Sequence, residues 1–261
     1  RLSPETEIIM LSRRGLSPQG HRERLPDSTF DTDIQEEILS VFPSARTYLR
    51  VVREHIGRSQ EHWREIITAL RPITPELWSR LSFVERKRFL RHLQAYWDIH
   101  RHRMAPETYR AFEERIAEGS VRVIAGRIES MSFAPDVARV GIRMRGHRTS
   151  ESLLVDKVIN CTGPCTGISK INDGLIFDLV KNDVLSSDLL GLGINVDSDY
   201  SLLNAVGQRT PWLSYVGPML RAHLWEATAV PELRIHAKKL AVIIANRFAP
   251  TQSPGALLKR P

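Results

Sequence analysis

The chain of 261 residues contains only two cysteines, Cys161 and Cys165. Two thiols are too few for a disulfide framework, or for a structural zinc site built from cysteines alone. No apolar run approaches the roughly 20 residues that a membrane-spanning helix needs, and the first residues lack the apolar core of a signal peptide. From these absences we expect a cytoplasmic protein with no membrane partner and no metal site.

The sequence also lacks any G-x-G-x-x-G motif. In dinucleotide-binding folds this glycine-rich turn and the helix after it hold the pyrophosphate. The nearest glycine pair, Gly191 and Gly193, precedes no predicted helix. The chain by itself therefore lacks the usual means of binding a dinucleotide tightly.

The composition is that of an ordinary globular protein, with 42% hydrophobic and 26% charged residues. Lysine and arginine number 37 against 30 acidic residues, which gives a formal net charge of +7. A positive surplus favours anionic partners. Nucleic acid, a membrane surface and a phosphate-bearing cofactor all remain open at this point.

The pattern of apolar residues predicts an α/β fold with a helical insertion. A buried strand is expected at 7–12, a loop-like stretch at 16–42 and a helical block at about 44–118, in which Ser82 and Glu85 form a capping box at the start of a long helix. Gly119 is expected just past the end of the last of these helices. The segments predicted after it are strands at 121–124, 128–133, 140–144, 153–159 and 212–216, and helices at 175–180 and from Pro231 to about Asn246.

The turn after the first strand carries Ser12, Arg13 and Arg14. In a Rossmann unit an acidic residue at the end of the second strand binds the ribose 2′-hydroxyl of NAD, whereas arginine accommodates the 2′-phosphate of NADP. Guanidinium groups match phosphate oxygens geometrically. The motif therefore points to NADP, and the alternative is a pair of solvated arginines at the start of a loop.

A second turn, Thr162-Gly163-Pro164, follows the predicted strand at 153–159. Small residues at a strand end let the backbone approach a bulky ligand closely, although a plain strand-to-loop turn has the same composition. Cys161 and Cys165 flank this turn with three residues between them, a spacing that argues against a C-x-x-C redox pair.

A third candidate segment runs from Tyr215 to Arg234. The N-terminus of a helix presents free N–H groups and the positive end of the helix dipole, so a helix that begins at Pro231 would stabilise the N1/O2 edge of a reduced flavin. An ordinary capped surface helix is the alternative. The residues of this segment that we expect to bind a cofactor are Gly217, Pro218, Trp225, Val230 and Pro231.

His100-Arg101-His102-Arg103 is the fourth candidate segment. Two histidines two positions apart point to different sides of a helix, so a shared metal ion is not expected. Arg101 or Arg103 could contact an anion, but a solvated basic helix end is the commoner arrangement.

Taken together, five stretches resemble a family of FAD/NAD(P)-binding proteins of the FAD-dependent urate hydroxylase type, distant relatives of the flavin monooxygenases. The stretches follow the family's order along nearly the whole chain: Leu11 to Gly15, Trp97 to Pro106, Val158 to Pro164, Gly191 to Asp197 and Tyr215 to His236.

The resemblance implies an NAD(P)-binding domain inserted into an FAD-binding domain. It places residues 1–155 in the former and 156–261 in the latter, with the return near Thr162 and Gly163. It also places Arg13 and Arg14 at the NADP 2′-phosphate, and Gly217, Pro218 and the helix from Pro231 at the flavin. One departure is that Pro218 stands where many two-domain flavoproteins have the aspartate that contacts the ribityl chain.

We therefore expect part of an FAD-dependent NADPH oxidoreductase, acting as a monooxygenase or hydroxylase on a small substrate and not on nucleic acid. In the family both pyrophosphate loops precede the position of Arg1, so residues 1–261 alone are expected to be inactive. The alternatives are a basic, helical nucleic-acid-binding protein, for which the Arg-rich stretch 85–92 is the best support, and a non-catalytic remnant. No catalytic acid or base is evident.

Overall fold

The computed structural model describes residues 6–23, 33–58, 63–163, 165–171 and 173–248. The chain divides into two compact units. Unit 1 consists of Arg1–Pro72 and Leu81–Gly163, and unit 2 of Ile73–Arg80 and Pro164–Pro261. Helices and strands are mixed and one strand pair is parallel, so the predicted α/β class is confirmed. The assignment of 1–155 and 156–261 to NAD(P)- and FAD-binding domains stays a prediction.

Unit 1 contains a four-stranded sheet in the order β1-β2-β3-β4. β1 (Ile8–Ser12) runs parallel to the start of β2 (Val121–Phe133), while β3 (Ala138–Met144) and β4 (Ser150–Val155) continue the sheet antiparallel. The helical block lies in sequence between β1 and β2. Such a parallel pair requires a crossover connection, and here the helices supply it.

Three expectations about the strands were wrong. β1 was predicted to be buried, but among the described residues it lies at the edge of this sheet, and Ile8 and Met10 are 38% and 37% exposed. The two strands expected at 121–124 and 128–133 are one strand with a β-bulge. β4 ends at Val155, and the apolar residues after it, including Ile159 at 82% exposure, form no strand. Among the described residues they have no neighbouring strand with which to pair.

The first three helices of unit 1 pack around Ile34, Ile38, Val51, Ile66 and Leu70, all of which are at most 2% exposed. These apolar residues recur at helical spacing, so each of the three helices contributes one face to a shared core. The helices of unit 1 are α1 (Asp33–Ser40), α2 (Ala45–Arg58), α3 (Trp63–Leu70), α5 (Phe83–His92), α6 (Gln94–Arg101) and α7 (Pro106–Ala117). α4 (Thr74–Arg80) belongs to unit 2.

The ends of these helices confirm some expectations and correct others. Gly119 follows α7 with a positive φ of 78°, as expected of a residue just past a helix end. The Ser82 hydroxyl accepts from the backbone N–H of Glu85, but the Glu85 carboxylate accepts from the backbone N–H of Ala45 and so caps α2 instead. The stretch 16–42 was predicted to be loop, yet α1 lies within it because Ile34 and Ile38 are buried together. The part at 24–32 lies outside the described residues.

The long helix expected from Ser82 to about His100 is broken at Leu93. There the N–H groups of Tyr96 and Trp97 both donate to the carbonyl of Leu93. The carbonyls of Arg91 and His92 instead accept hydrogen bonds from the side chain of Arg14. The sequence pattern around Leu93 gave no sign of this break, because the partner comes from the end of β1.

Unit 2 has a compact core of Ile168, Leu185, Ile194, Val196, Tyr200, Leu202, Leu220 and Ala227. Its regular elements are α4, α8 (Gly174–Lys181), β5 (Ser201–Leu203), β6 (Arg209–Ser214) and α9 (Val230–Phe248). β5 and β6 form an antiparallel pair. The predicted helices at 175–180 and from Pro231 are confirmed, while the strand expected at 212–216 is shifted towards the N-terminus and ends at Ser214.

Candidate functional site

The turn that follows β1 is closed by its own side chain and by a glycine. The Ser12 hydroxyl accepts a hydrogen bond from the backbone N–H of Gly15 at 3.0 Å. Gly15 has a φ of 62°, and a Cβ there would lie 3.0 Å from the Cβ of Ala125. The turn therefore needs glycine both for its conformation and for the close approach to β2.

Arg13 and Arg14 were predicted to act together, but their side chains differ in what they contact. Arg13 is exposed and has no hydrogen bond or ion pair with the described residues. Arg14 donates to the carbonyls of Arg91 and His92 at the end of α5, and its guanidinium lies 5.3 Å from the centre of the Tyr96 ring. A positive charge at a helix C-terminus interacts favourably with the negative end of the helix dipole. Arg14 thus braces the α5–α6 break, and Arg13 is the arginine available to a ligand.

A second group of cations in unit 1 surrounds Trp63, and only part of it was anticipated from sequence. The guanidinium carbons of Arg64 and Arg103 lie 4.4 and 5.3 Å from the centre of the Trp63 ring, and the His100 ring meets its edge. The segment that carries His21 lies beside Arg103, because the backbone N–H of His21 donates to the carbonyl of Met104. We call Arg64, Arg103 and His21 the Trp63 cation cluster.

Two of these cations are fixed by the main chain. Arg64 Nε donates to the carbonyl of Gly20 at 3.0 Å. Arg103 Nε donates to the carbonyl of His100, and its Nη2 donates to the carbonyl of Arg64 and to the hydroxyl of Thr68. Such contacts hold long side chains in one orientation.

The positive charges of Arg64 and Arg103 repel each other, and both disfavour a proton on His21. Burial, followed by the positive charges of Arg64 and Arg101, lowers the pKa of Arg103, and the carboxylate of Glu65 opposes that shift. Burial, with Arg103 and Arg64, lowers the pKa of His21. Glu65 is itself bound by Arg22, with Nη1 and Oε1 2.7 Å apart. Like charges brought together in this way indicate a site that would gain from binding an anion.

The Thr162-Gly163 turn is held locally in unit 1. Both the N–H and the hydroxyl of Thr162 donate to Oδ1 of Asn160, at 3.1 and 2.7 Å, and Gly163 has a φ of 81°. All three residues are exposed. Pro164 lies outside the described residues, and a cofactor contact at this turn stays a prediction.

In unit 2 the Gly191-Leu192-Gly193 turn is organised around Asp188. The Asp188 carboxylate accepts from the backbone N–H groups of Leu190, Leu192 and Gly193 at 2.6–2.7 Å. Backbone N–H groups gathered in this way form an anion site. Here that site is filled by the protein's own carboxylate, so the turn is not free to bind a pyrophosphate.

The Gly217-Pro218 step continues directly into a 3₁₀ turn, Pro218–Ala222. The hydroxyl of Tyr215 lies against Gly217: a Cβ there would be 2.7 Å from the ring carbon Cζ and closer still to the hydroxyl oxygen. A side chain here would have to displace the Tyr215 hydroxyl, so a protein contact favours glycine, and its role towards a flavin stays a prediction.

Trp225 was expected to bind a cofactor and is found in the interior of unit 2, with 4% of its surface exposed. Its ring centre lies 4.6 Å from that of Trp78, and the Arg221 guanidinium stacks 4.2 Å from it. The Trp78 indole N–H donates to the carbonyl of Ala222 at 2.9 Å. Packing thus accounts for Trp225, and only its small exposed edge is left for a ligand.

The start of α9 has Val230 69% exposed and Pro231 exposed, so its first turn is open to solvent. Glu232 lies in this first turn. Its negative charge interacts favourably with the positive end of the helix dipole. The same charge reduces the attraction of this helix end for a second anion.

The same helix carries His236, which forms with Tyr200, just before β5, a titratable pair that sequence reasoning missed. The Tyr200 hydroxyl lies 2.9 Å from Nδ1 of His236. Burial raises the pKa of Tyr200, while burial and the nearby Lys239 lower the pKa of His236. Tyr200 also has a positive φ of 63°, a conformation uncommon outside glycine. The two residues are 36 positions apart, so no local motif joins them.

Within the described ranges, no group of three or more histidine, cysteine, aspartate or glutamate side chains is placed to hold a metal ion. The helices in that part of the chain are also too short or too polar to cross a membrane.

No protein-family model matches the chain, and no curated protein matches it. Among solved structures, it is similar to an ornithine N-hydroxylase from Kutzneria sp. 744 with reduced FAD, NADP⁺ and L-ornithine. The two are 16% identical, with a TM-score of 0.47 over 69% of this chain and 43% of the other. The chain thus spans less than half the length of that enzyme, and at this level of similarity we draw no functional argument from it.

Proposed function

We propose that this chain is part of an FAD-dependent oxidoreductase that uses NADPH and acts as a monooxygenase or hydroxylase on a small substrate. The observation that carries the proposal is the parallel pairing of β1 with β2, which leaves Arg13 exposed at the carboxyl end of β1. Ligands of open α/β sheets bind beyond the carboxyl ends of the strands. The motifs that resemble the FAD/NAD(P)-binding family support the same function.

The residues at this turn fit the phosphate end of NADPH. Arg13 has no partner among the described residues, and the Ser12–Gly15 hydrogen bond fixes the backbone beneath it. Its guanidinium would donate to the 2′-phosphate, while Arg14 holds the helix end alongside. Selection of NADPH over NADH would then rest mainly on Arg13.

The fit to FAD is partial. The open first turn of α9 at Val230 and Pro231 suits the flavin end, with Gly217 and Pro218 as further contacts. The Gly191-Leu192-Gly193 turn does not suit the pyrophosphate, because Asp188 occupies its N–H groups. Bound FAD would supply the redox chemistry, and this chain would contribute to its position.

The test is to purify the protein in its native, full-length form and to measure flavin absorbance and NADPH oxidation. The proposal predicts a yellow protein that oxidises NADPH faster than NADH. A protein that holds no flavin, or one that instead binds DNA or RNA with a steep dependence on salt, would contradict it.

A further inference from the structure

We propose that the Trp63 cation cluster of unit 1 is a binding site for a phosphate group, separate from the turn that carries Arg13. The proposal rests on Arg64, Arg103 and His21. These come from three different segments of the chain, and no motif of the flavoprotein resemblance contains Arg64 or His21.

The first argument is the number of donors that the fold leaves available. Arg64 uses only its Nε in a hydrogen bond, so both of its Nη groups lack a partner among the described residues. Arg103 uses Nε and Nη2, which leaves Nη1. The His21 ring has no hydrogen bond within the described part of the chain. A phosphate has enough oxygens to accept from all of them.

The second argument is preorganisation. The Nε edge of each arginine is tied to a main-chain oxygen, Gly20 for Arg64 and His100 for Arg103, and both guanidinium groups stack on one indole. The segment of Gly20 is itself held by main-chain pairing with Met104, through hydrogen bonds of its neighbours Gln19 and His21. Donors that are already oriented lose little conformational entropy when a ligand binds.

The third argument is the balance of charge. Arg22, Arg101 and Arg64 all act on Arg103, and Glu65 is the carboxylate that opposes them. A second carboxylate, Glu113, accepts a hydrogen bond from the Tyr109 hydroxyl. This leaves repulsion among the positive charges around Arg103. Binding of a dianion would relieve it, which is the physical reason to assign a phosphate in preference to a neutral ligand.

The experiment is a titration of the 261-residue chain with inorganic phosphate at constant ionic strength, followed by calorimetry and by the NMR signals of the His21 ring. The site predicts saturable binding and a rise in the His21 pKa. Arg64→Gln should weaken binding about tenfold, because it removes charge-assisted hydrogen bonds. Arg50→Gln removes the same charge from an exposed position on α2 and should leave binding unchanged.

Because Arg64 also holds Gly20, a second variant, His21→Gln, keeps the test valid if Arg64→Gln fails to fold. It should weaken binding by about threefold, since it removes one donor. A non-saturating response, or equal losses in Arg50→Gln and Arg64→Gln, would overturn the proposal. Binding abolished by Arg13→Ala but not by Arg64→Gln would also overturn it.

A parallel titration with adenosine 2′-monophosphate identifies the source of the phosphate. Tighter binding than that of inorganic phosphate, still sensitive to Arg64→Gln, would support the site and assign it a nucleotide. Equal binding would support a site for free phosphate. Neither result requires FAD or NADPH turnover, so the outcome is independent of the proposed oxidoreductase function.

Discussion

Arg14 donates from its Nη1 to the main-chain carbonyl of His92 at 3.1 Å, across 78 positions of sequence. The contact ties the turn after β1 to the break between α5 and α6. It also separates the roles of two adjacent arginines, because Arg13 next to it has no partner among the described residues.

This separation predicts opposite consequences for two alanine variants. Arg14→Ala should lower the free energy of unfolding by about 1 kcal/mol, since it removes charge-assisted contacts at a helix C-terminus. Arg13→Ala should change it by less than about 0.5 kcal/mol, as expected for an exposed surface residue. Urea denaturation of the two variants measures both values. Equal destabilisation would show that the roles are not separate.

The same pair predicts a difference in cofactor selection for the flavin-loaded, full-length protein. Arg13→Ala should raise KM for NADPH by about tenfold and leave KM for NADH nearly unchanged, because a bidentate contact to the 2′-phosphate is lost. Steady-state kinetics with both cofactors provide the measurement. If the unmutated enzyme used NADH and NADPH equally well, the assignment of Arg13 would be wrong.

Gly193 and Gly191 offer a matched comparison within one turn. A Cβ at Gly193 would lie 2.6 Å from the carbonyl carbon of Met219 and closer to its oxygen, whereas a Cβ at Gly191 meets nothing within 4 Å. Gly193→Ala should therefore destabilise unit 2 by about 3 kcal/mol or more. Gly191→Ala should cost only about 1–2 kcal/mol, the strain of its positive φ. Thermal melting distinguishes the two, and similar losses would contradict the close packing on Met219.

His236 predicts how stability depends on pH. Burial and Lys239 lower its pKa in the folded state, so below about pH 6.5 the unfolded chain binds more protons than the folded one. Stability from this group is fully present above that pH and is lost as the pH falls towards the lowered pKa. His236→Gln should flatten the slope, and His147→Gln, at an exposed position, should not. The measurement is the urea denaturation midpoint of each variant at pH values from about 5 to 8, in steps of about one pH unit. An unchanged slope in His236→Gln would refute it.

The chain of residues 1–261 should not retain FAD after gel filtration and should not oxidise NADPH. It has no glycine-rich pyrophosphate loop, and its one glycine turn of similar composition is filled by the Asp188 carboxylate. The measurement is flavin absorbance of the protein peak after incubation with FAD. Stoichiometric FAD would show that another part of the chain binds the pyrophosphate.

Local patterns in the sequence determined much of the fold. The α/β class, the helical block, the Ser82 cap on α5, the glycine after α7 and the helix α8 all follow from signals that lie within a few residues of one another. Capping, turn chemistry and helical periodicity are local interactions, which is why they can be predicted from a short window.

The tertiary structure decided what depends on distant partners. Whether Arg14 is free for a ligand depends on the carbonyl of His92, and whether Gly193 can bind an anion depends on the Asp188 carboxylate beside it. In the sequence Arg103 is a basic residue near a helix end. The fold places it beside Arg64 and His21, which changes its electrostatic surroundings. Its charge was evident from sequence, but the electrostatic energy of a charge depends on which other charges the fold brings near it, and those come from segments far apart in the chain.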